Sequence, residues 1–198
     1  MNNDSHIKIH DPGESVNDWR TALEYLKDGN KRYVENHQAE REVGVQDRKN
    51  MTGGQKPYSV ILTCSDSRVS PELVFDAGFG DIFVIRNAGN IVDSTVLGCI
   101  EYAVEHLKTP LIAVVGHSHC GAVTGALKSG EFPENLQGII DAIRPAIASC
   151  DDLKKATHAN VECSVERIKN NAVVAGAKVK VIGAFYDIES GEVTFKQD

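Results

Sequence analysis

The sequence ILTCSDSR at residues 61–68 begins as a strand and ends as a chemical site. Apolar and β-branched residues run up to Thr63, as in a strand buried on both faces, and then stop in Cys64, Asp66 and Arg68. A second stretch, VVGHSHCGA at residues 114–122, has the same form and stops in His117, His119 and Cys120. Polar and metal-binding groups at the carboxyl end of a buried strand contribute little to packing and mark a ligand site.

On either side of these two stretches the pattern strand, loop, helix repeats. Strands are expected at 58–63, 81–86, 111–116 and 179–186, and helices at 71–77, 93–108, 121–128, 135–149 and 157–175. Within 93–108, Val96, Ile100, Ala103, Val104 and Leu107 recur at helical spacing and form one apolar stripe. Apolar strands alternating with helices predict an α/β fold with a mostly parallel central sheet covered by helices on both faces. Ser190 and Gly191 form a turn before a short run at 192–195, read as an edge strand hairpinned to 179–186.

Upstream, Ser15 or Asn17 can cap a helix reaching about residue 36, with Trp19, Leu23, Leu26 and Tyr33 on one face. Gly29 weakens that helix. This N-terminal helical arm either covers its own core or packs on another subunit. Residues 37–50 read as a connector with room for a helical turn, and the chain as a single domain over 1–198, with an arm at 1–50 and a core at 51–198.

Composition sets limits on function. Hydrophobic residues make up 41% and charged residues 25%, as in an ordinary globular protein. A net charge of −7 argues against a nucleic-acid or anionic-membrane partner. The N-terminal residues MNNDSHIKIHDPGESVNDW lack the apolar core of a signal peptide, and no stretch approaches a membrane span, so a cytoplasmic protein is expected. The five cysteines, at 64, 99, 120, 150 and 163, are odd in number and widely spaced. In a reducing compartment they read as metal-binding, catalytic or buried thiols rather than disulfides.

Cys64, His117 and Cys120 offer two thiolates and an imidazole, the donors zinc prefers, and three such ligands leave a fourth position open. Each residue taken singly would pass as a core thiol or core histidine. All three at equivalent strand ends favour a metal. His119 is adjacent to Cys120 and awkward as a simultaneous ligand, so it is read as a non-ligand. Asp66 and Arg68 are spaced for a two-point ion pair. Beside a dication, Asp66 could orient a metal-bound water or swing in as a fourth ligand and close the site. Gly116 and Gly121 superficially suggest a phosphate-binding loop, but Ala122 and Val123 stand where Lys and Ser or Thr are needed. A Cys-His nucleophile fits less well than a metal, because two cysteines converge on the histidine.

These residues carry a resemblance. CSDSR (64–68), FVIRNAGN (83–90), IEYAV (100–104) and GHSHCGA (116–122) make the chain similar to the β-class carbonic anhydrases over about residues 22–186. The resemblance implies a zinc enzyme interconverting carbon dioxide and bicarbonate, with Cys64, His117 and Cys120 as ligands and Asp66 with Arg68 as the catalytic dyad. It further implies that Phe83, Ala88, Tyr102 and Gly121 line the substrate pocket and that Gln55 reaches a neighbouring subunit's site. A homo-oligomer is implied, either a dimer or a dimer of dimers. Some members close the site through a Trp three residues before the first cysteine; Ile61 stands there in this chain and favours the open form. Two other classes share these features: a carbon disulfide or carbonyl sulfide hydrolase on the same ligands, and a non-catalytic zinc-stabilised assembly protein.

Overall fold

Strands β1 (Ser59–Cys64), β2 (Ile82–Asn87), β3 (Leu111–His117), β4 (Lys180–Tyr186) and β5 (Val193–Phe195) form one sheet in the order β2-β1-β3-β4-β5. The computed structural model describes residues 9–11, 13–39, 43–128 and 130–196. The first four strands are mutually parallel, and β5 pairs antiparallel with β4 as the expected edge hairpin. The chain steps from β1 to β2 on one side and then returns past β1 to β3 on the other. The reversal in strand order therefore falls between β1 and β3, where a parallel sheet opens a crevice at its carboxyl edge.

Both faces are covered, and the period of two along each strand decides which residue meets which helix. Val60, Leu62, Ile112, Val114 and Val181 face α4 (Ser94–Glu105) and α7 (Leu153–Lys169). Ile61, Ala113, Val115, Ile182 and Ala184 face α1 (Trp19–Val34) and α3 (Pro71–Val74). Helices α5 (Gly121–Leu127) and α6 (Glu134–Ile147) close the carboxyl end, with Ile140, Ile143 and Ile147 packed beneath Cys64 and Cys120.

Helix α1 covers its own core, burying Ala22 and Leu26, and it runs unbroken through Gly29. The helix backs directly onto the loop after α3, where a Cβ on Gly29 would lie 1.8 Å from the Phe75 carbonyl oxygen. The residue that weakens the helix is the one that permits its docking. The helical turn allowed for in the 37–50 connector is α2 (Val45–Asn50). One element divides differently from expectation. The segment expected as one helix at 157–175 is α7 followed by α8 (Ala172–Gly176). The Asn171 side chain accepts from the N–H groups of Val173 and Val174, starting a new helix at a point where apolar spacing alone continues.

Candidate metal centre

Cys64 ends β1 and His117 ends β3, so the strand-order reversal brings them together; Cys120 stands immediately before α5. The two sulfurs and an imidazole nitrogen of His117 lie within 4.8 Å of one another, and all three residues are buried. His117 Nδ1 is 2.8 Å from the Ser118 carbonyl oxygen and therefore carries the ring proton, leaving Nε2 as a lone pair. That carbonyl is held in place by β4: the Ser118 N–H donates to the Tyr186 carbonyl, and the Ile188 N–H donates to Ser118 Oγ, each at 2.9 Å. Nε2 is buried and has no hydrogen-bond partner among the described residues. Such an orphan costs about 1–3 kcal/mol unless something occupies it. A cation shared with the two sulfurs satisfies it.

The sulfurs are prepared for charge. The Gly89 N–H donates to Cys64 Sγ at 3.3 Å. Gly89 has φ 73°, and a Cβ there would meet Ile143 Cδ1 at 2.7 Å, so only glycine lets this amide approach. The Cys64 thiol is lowered to about 4, chiefly by its hydrogen bond with Cys120, against the opposing effect of burial and with help from the Gly89 and Asp66 amides. The Cys64 sulfur and burial together push Cys120 up. Zinc would need both sulfurs as thiolates, so its binding would release protons. Two thiolates and one imidazole on three protein ligands suit zinc and leave one position for a further ligand.

Asp66 is turned to Arg68. Arg68 Nε donates to Oδ1 at 2.9 Å and Nη2 to Oδ2 at 2.7 Å, and the Arg68 main-chain N–H donates to Oδ1 at 3.0 Å. This fork holds the Asp66 carboxyl well below the usual carboxylate range, although partial burial opposes it. Asp66 is outside the three-donor cluster. Arg68 Nη2 also reaches the His119 carbonyl at 3.4 Å and so joins the two loops. His119 itself is exposed, with φ 57°, and is not among the clustered donors.

The profile of the carbonic anhydrase family matches residues 59–193, which contain every residue of this centre. A carbonic anhydrase of Mycolicibacterium smegmatis is 37% identical over 189 residues, covering 88% of this chain and 92% of that protein. The chain belongs to the carbonic anhydrase family. Carbonic anhydrase 2 of Mycobacterium tuberculosis is 35% identical, covering 88% of this chain and 91% of that protein. A tetrameric β-carbonic anhydrase from Sordaria macrospora superposes with a TM-score of 0.70 at 31% identity, covering 76% of this chain and 86% of that one. Coccomyxa β-carbonic anhydrase, solved with acetazolamide, gives 0.71 at 28% identity, covering 91% and 86%.

The pocket residues implied by the family resemblance divide into two groups. Ala88 precedes Gly89 on the turn that touches Cys64, and Gly121 opens α5 with nothing within 4 Å of a Cβ placed on it. Both are beside the metal cluster. Phe83, Tyr102 and Gln55 are not. Phe83 pairs with Val60 while Asn87 pairs with Cys64, which puts Phe83 about 13 Å back along the sheet. Tyr102, on α4, is 46% exposed and packs its ring against Phe83, and Gln55 lies exposed before the start of β1. Four residues that support the site escaped sequence reasoning. Arg86 reaches the backbone of the Cys64–Asp66 segment, Asn160 donates to the Gly89 carbonyl, Ser164 donates to the Asn90 carbonyl, and Ser118 holds His117. Arg86 did carry a signal, since the apolar run at 82–85 ends in Arg-Asn as the other two strands end in site residues.

Proposed function

We propose that this protein catalyses the reversible hydration of carbon dioxide to bicarbonate and a proton, with Cys64, His117 and Cys120 holding zinc and Asp66 with Arg68 as the catalytic pair. The observation that carries this reading is the unpartnered Nε2 of His117 between two buried sulfurs, in a chain that belongs to this family. When bound, the ion supplies a Lewis acid that makes water nucleophilic near neutral pH. The protein supplies orientation. An ionised carboxylate has about four acceptor sites. Arg68 fills three of those on Asp66, leaving one to accept a hydrogen bond from water and aim its lone pair. Arg68 also keeps Asp66 ionised. Ala88 and the open space at Gly121 offer an apolar resting place for a linear, uncharged substrate.

The same reading makes the enzyme a homo-oligomer. Strand β2 is an edge of the sheet, with Phe83 half-buried and Tyr102 exposed beside it, so a second copy on that edge could receive Phe83, Tyr102 and Gln55. A tetrameric relative supports this arrangement. No helix among the described residues is long and apolar enough to cross a membrane, and all five cysteines are free, which fits a reducing cytoplasmic setting.

The test is stopped-flow hydration of carbon dioxide on protein whose zinc is assayed in the same tube. One zinc per chain with turnover that rises toward alkaline pH is the expected result, and His117→Ala loses metal and turnover together. A zinc-replete protein inert at every pH would sink the proposal.

A further inference from the structure

The Asp66 carboxylate is fixed by Arg68, but its backbone is fixed from elsewhere. Arg86 lies one residue before the end of β2, exposed, in register with Thr63 of β1. Its guanidinium is directed at two main-chain carbonyls: Nε donates to the Cys64 carbonyl at 3.2 Å and Nη2 to the Asp66 carbonyl at 2.8 Å. One rigid fork therefore straddles Ser65 and ties a metal-ligand residue to the residue that carries the carboxylate. The Ser65 N–H donates to the Asn87 carbonyl at 3.0 Å, and the Gly89 N–H to Cys64 Sγ, so the end of β2 and the turn that follows it act as a template for the 64–66 segment. The Asp66 carbonyl also accepts from the Val69 N–H at 2.9 Å, and Arg86 sits across that turn from outside.

We infer that Arg86 is a positioning residue for the reaction: by gripping the Cys64 and Asp66 carbonyls it fixes the backbone from which Asp66 reaches the open metal position. This rests on the reading of Asp66 given above. The two arginines divide the task. Arg68 sets the orientation and charge of the carboxylate, whereas Arg86 sets where its Cα stands. Geometry this close to the reacting atoms matters steeply, since a displacement of about 1 Å can lower a rate by about a hundred-fold. A main-chain anchor on an exposed side chain contributes little to global stability, so its loss registers in turnover rather than folding.

The test is Arg86→Ala in the zinc-loaded full chain, with Arg86→Lys beside it. Metal content stays at one zinc per chain in both. For Arg86→Ala, kcat falls on the order of ten-fold at nearly unchanged KM, and millimolar guanidinium restores part of it. Lysine, a point charge that cannot fork across two carbonyls, falls between Arg86→Ala and the wild type. Amide hydrogen exchange supplies a readout independent of turnover: Ser65 and Val69 exchange faster in Arg86→Ala, while β1 and β3 are unchanged. Exchange at Ser65 and Val69 equal to wild type overturns the tether, whatever the activity. Unaltered kcat with faster exchange overturns its catalytic consequence, and loss of zinc or accelerated exchange across the sheet assigns Arg86 a merely structural part. Wild-type protein that holds zinc and hydrates nothing counts against the function proposed above, and the exchange result still decides the tether.

Discussion

Two Arg–Asp pairs in this chain have the same chemistry and different work. Arg32 of α1 pairs with Asp76, just after α3; both side chains are 6% exposed, and the Ala39 N–H also donates to Asp76 Oδ2 at 3.1 Å. Arg68 pairs with Asp66 two residues away, at 51% and 17% exposure. The first joins segments 44 residues apart and locks the N-terminal helix to the core. The second stays within one loop, apart from the contact of Arg68 Nη2 with the His119 carbonyl. It holds a carboxylate beside three metal-binding donors. Burial and sequence separation mark the fold-holding pair: Arg32 donates to Asp76 Oδ2 and reaches the Asp76 carbonyl across two distant segments, whereas Arg68 forks onto both carboxylate oxygens of Asp66 within one loop.

The comparison predicts opposite phenotypes. Arg32→Ala leaves Asp76 buried without its main partner and should destabilise the fold by about 3–5 kcal/mol. Urea unfolding measures that loss, and turnover per folded, zinc-loaded chain stays at the wild-type level. A variant as stable as wild type would mean that the buried pair is not what fixes α1. Asp66→Asn should do the reverse. It keeps zinc and the fold but loses turnover by about a hundred-fold, equivalent to about 2.7 kcal/mol of transition-state stabilisation. Full activity in Asp66→Asn, or a large drop in its unfolding midpoint, breaks the comparison from the other side.

How far these roles were legible from sequence follows from range. The parallel sheet, its covered faces and the convergence of Cys64, His117 and Cys120 follow from apolar runs that end in metal-binding residues, a local signal that topology converts into a site. The Asp66–Arg68 pair is likewise legible because its partners are two residues apart. Arg32 and Asp76 were invisible as a pair, since nothing in either neighbourhood names a partner 44 residues away. The break at Asn171 was missed because a side-chain cap interrupts the helix without interrupting its apolar period. Gln55, Phe83 and Tyr102 carry no local signature of a site, and their distance from the metal cluster within one chain explains why only likeness to a family singled them out.

Gly29 sets a smaller effect on the docking of α1. Alanine there gains about 1 kcal/mol of helix propensity, yet its Cβ would stand 1.8 Å from the Phe75 carbonyl oxygen, a backbone atom that cannot rotate away. The net expectation for Gly29→Ala is a loss of about 1–3 kcal/mol. Stabilisation, read as a raised thermal midpoint, would show that α1 can lift from the α3 loop without cost.

The smallest effect concerns a pair that is buried like Arg32–Asp76 but titrates. His10 Nδ1 is 2.7 Å from Asp81 Oδ1, with both residues buried, and Nε2 is 3.3 Å from the Glu14 carbonyl. Both partners are acceptors, so the geometry suits an imidazolium donating from each nitrogen. The rings of Tyr25 and Tyr58 pack edge-on against the imidazole at 5.3 and 5.1 Å. Burial pulls His10 down, but the hydrogen bond and charge of Asp81, with the Glu14 carbonyl, outweigh it and hold the imidazole above its ordinary value. A raised folded-state pKa contributes stability in full below the unfolded value and loses it as pH rises through the folded one. His10→Gln should therefore be less stable than wild type by about 1 kcal/mol near pH 6, with the gap narrowing as pH rises through the raised folded-state value. Thermal midpoints of both proteins across that range decide it. A gap that stays constant with pH would mean that His10 holds Asp81 as a neutral donor, unlike the charged Arg32–Asp76 pair.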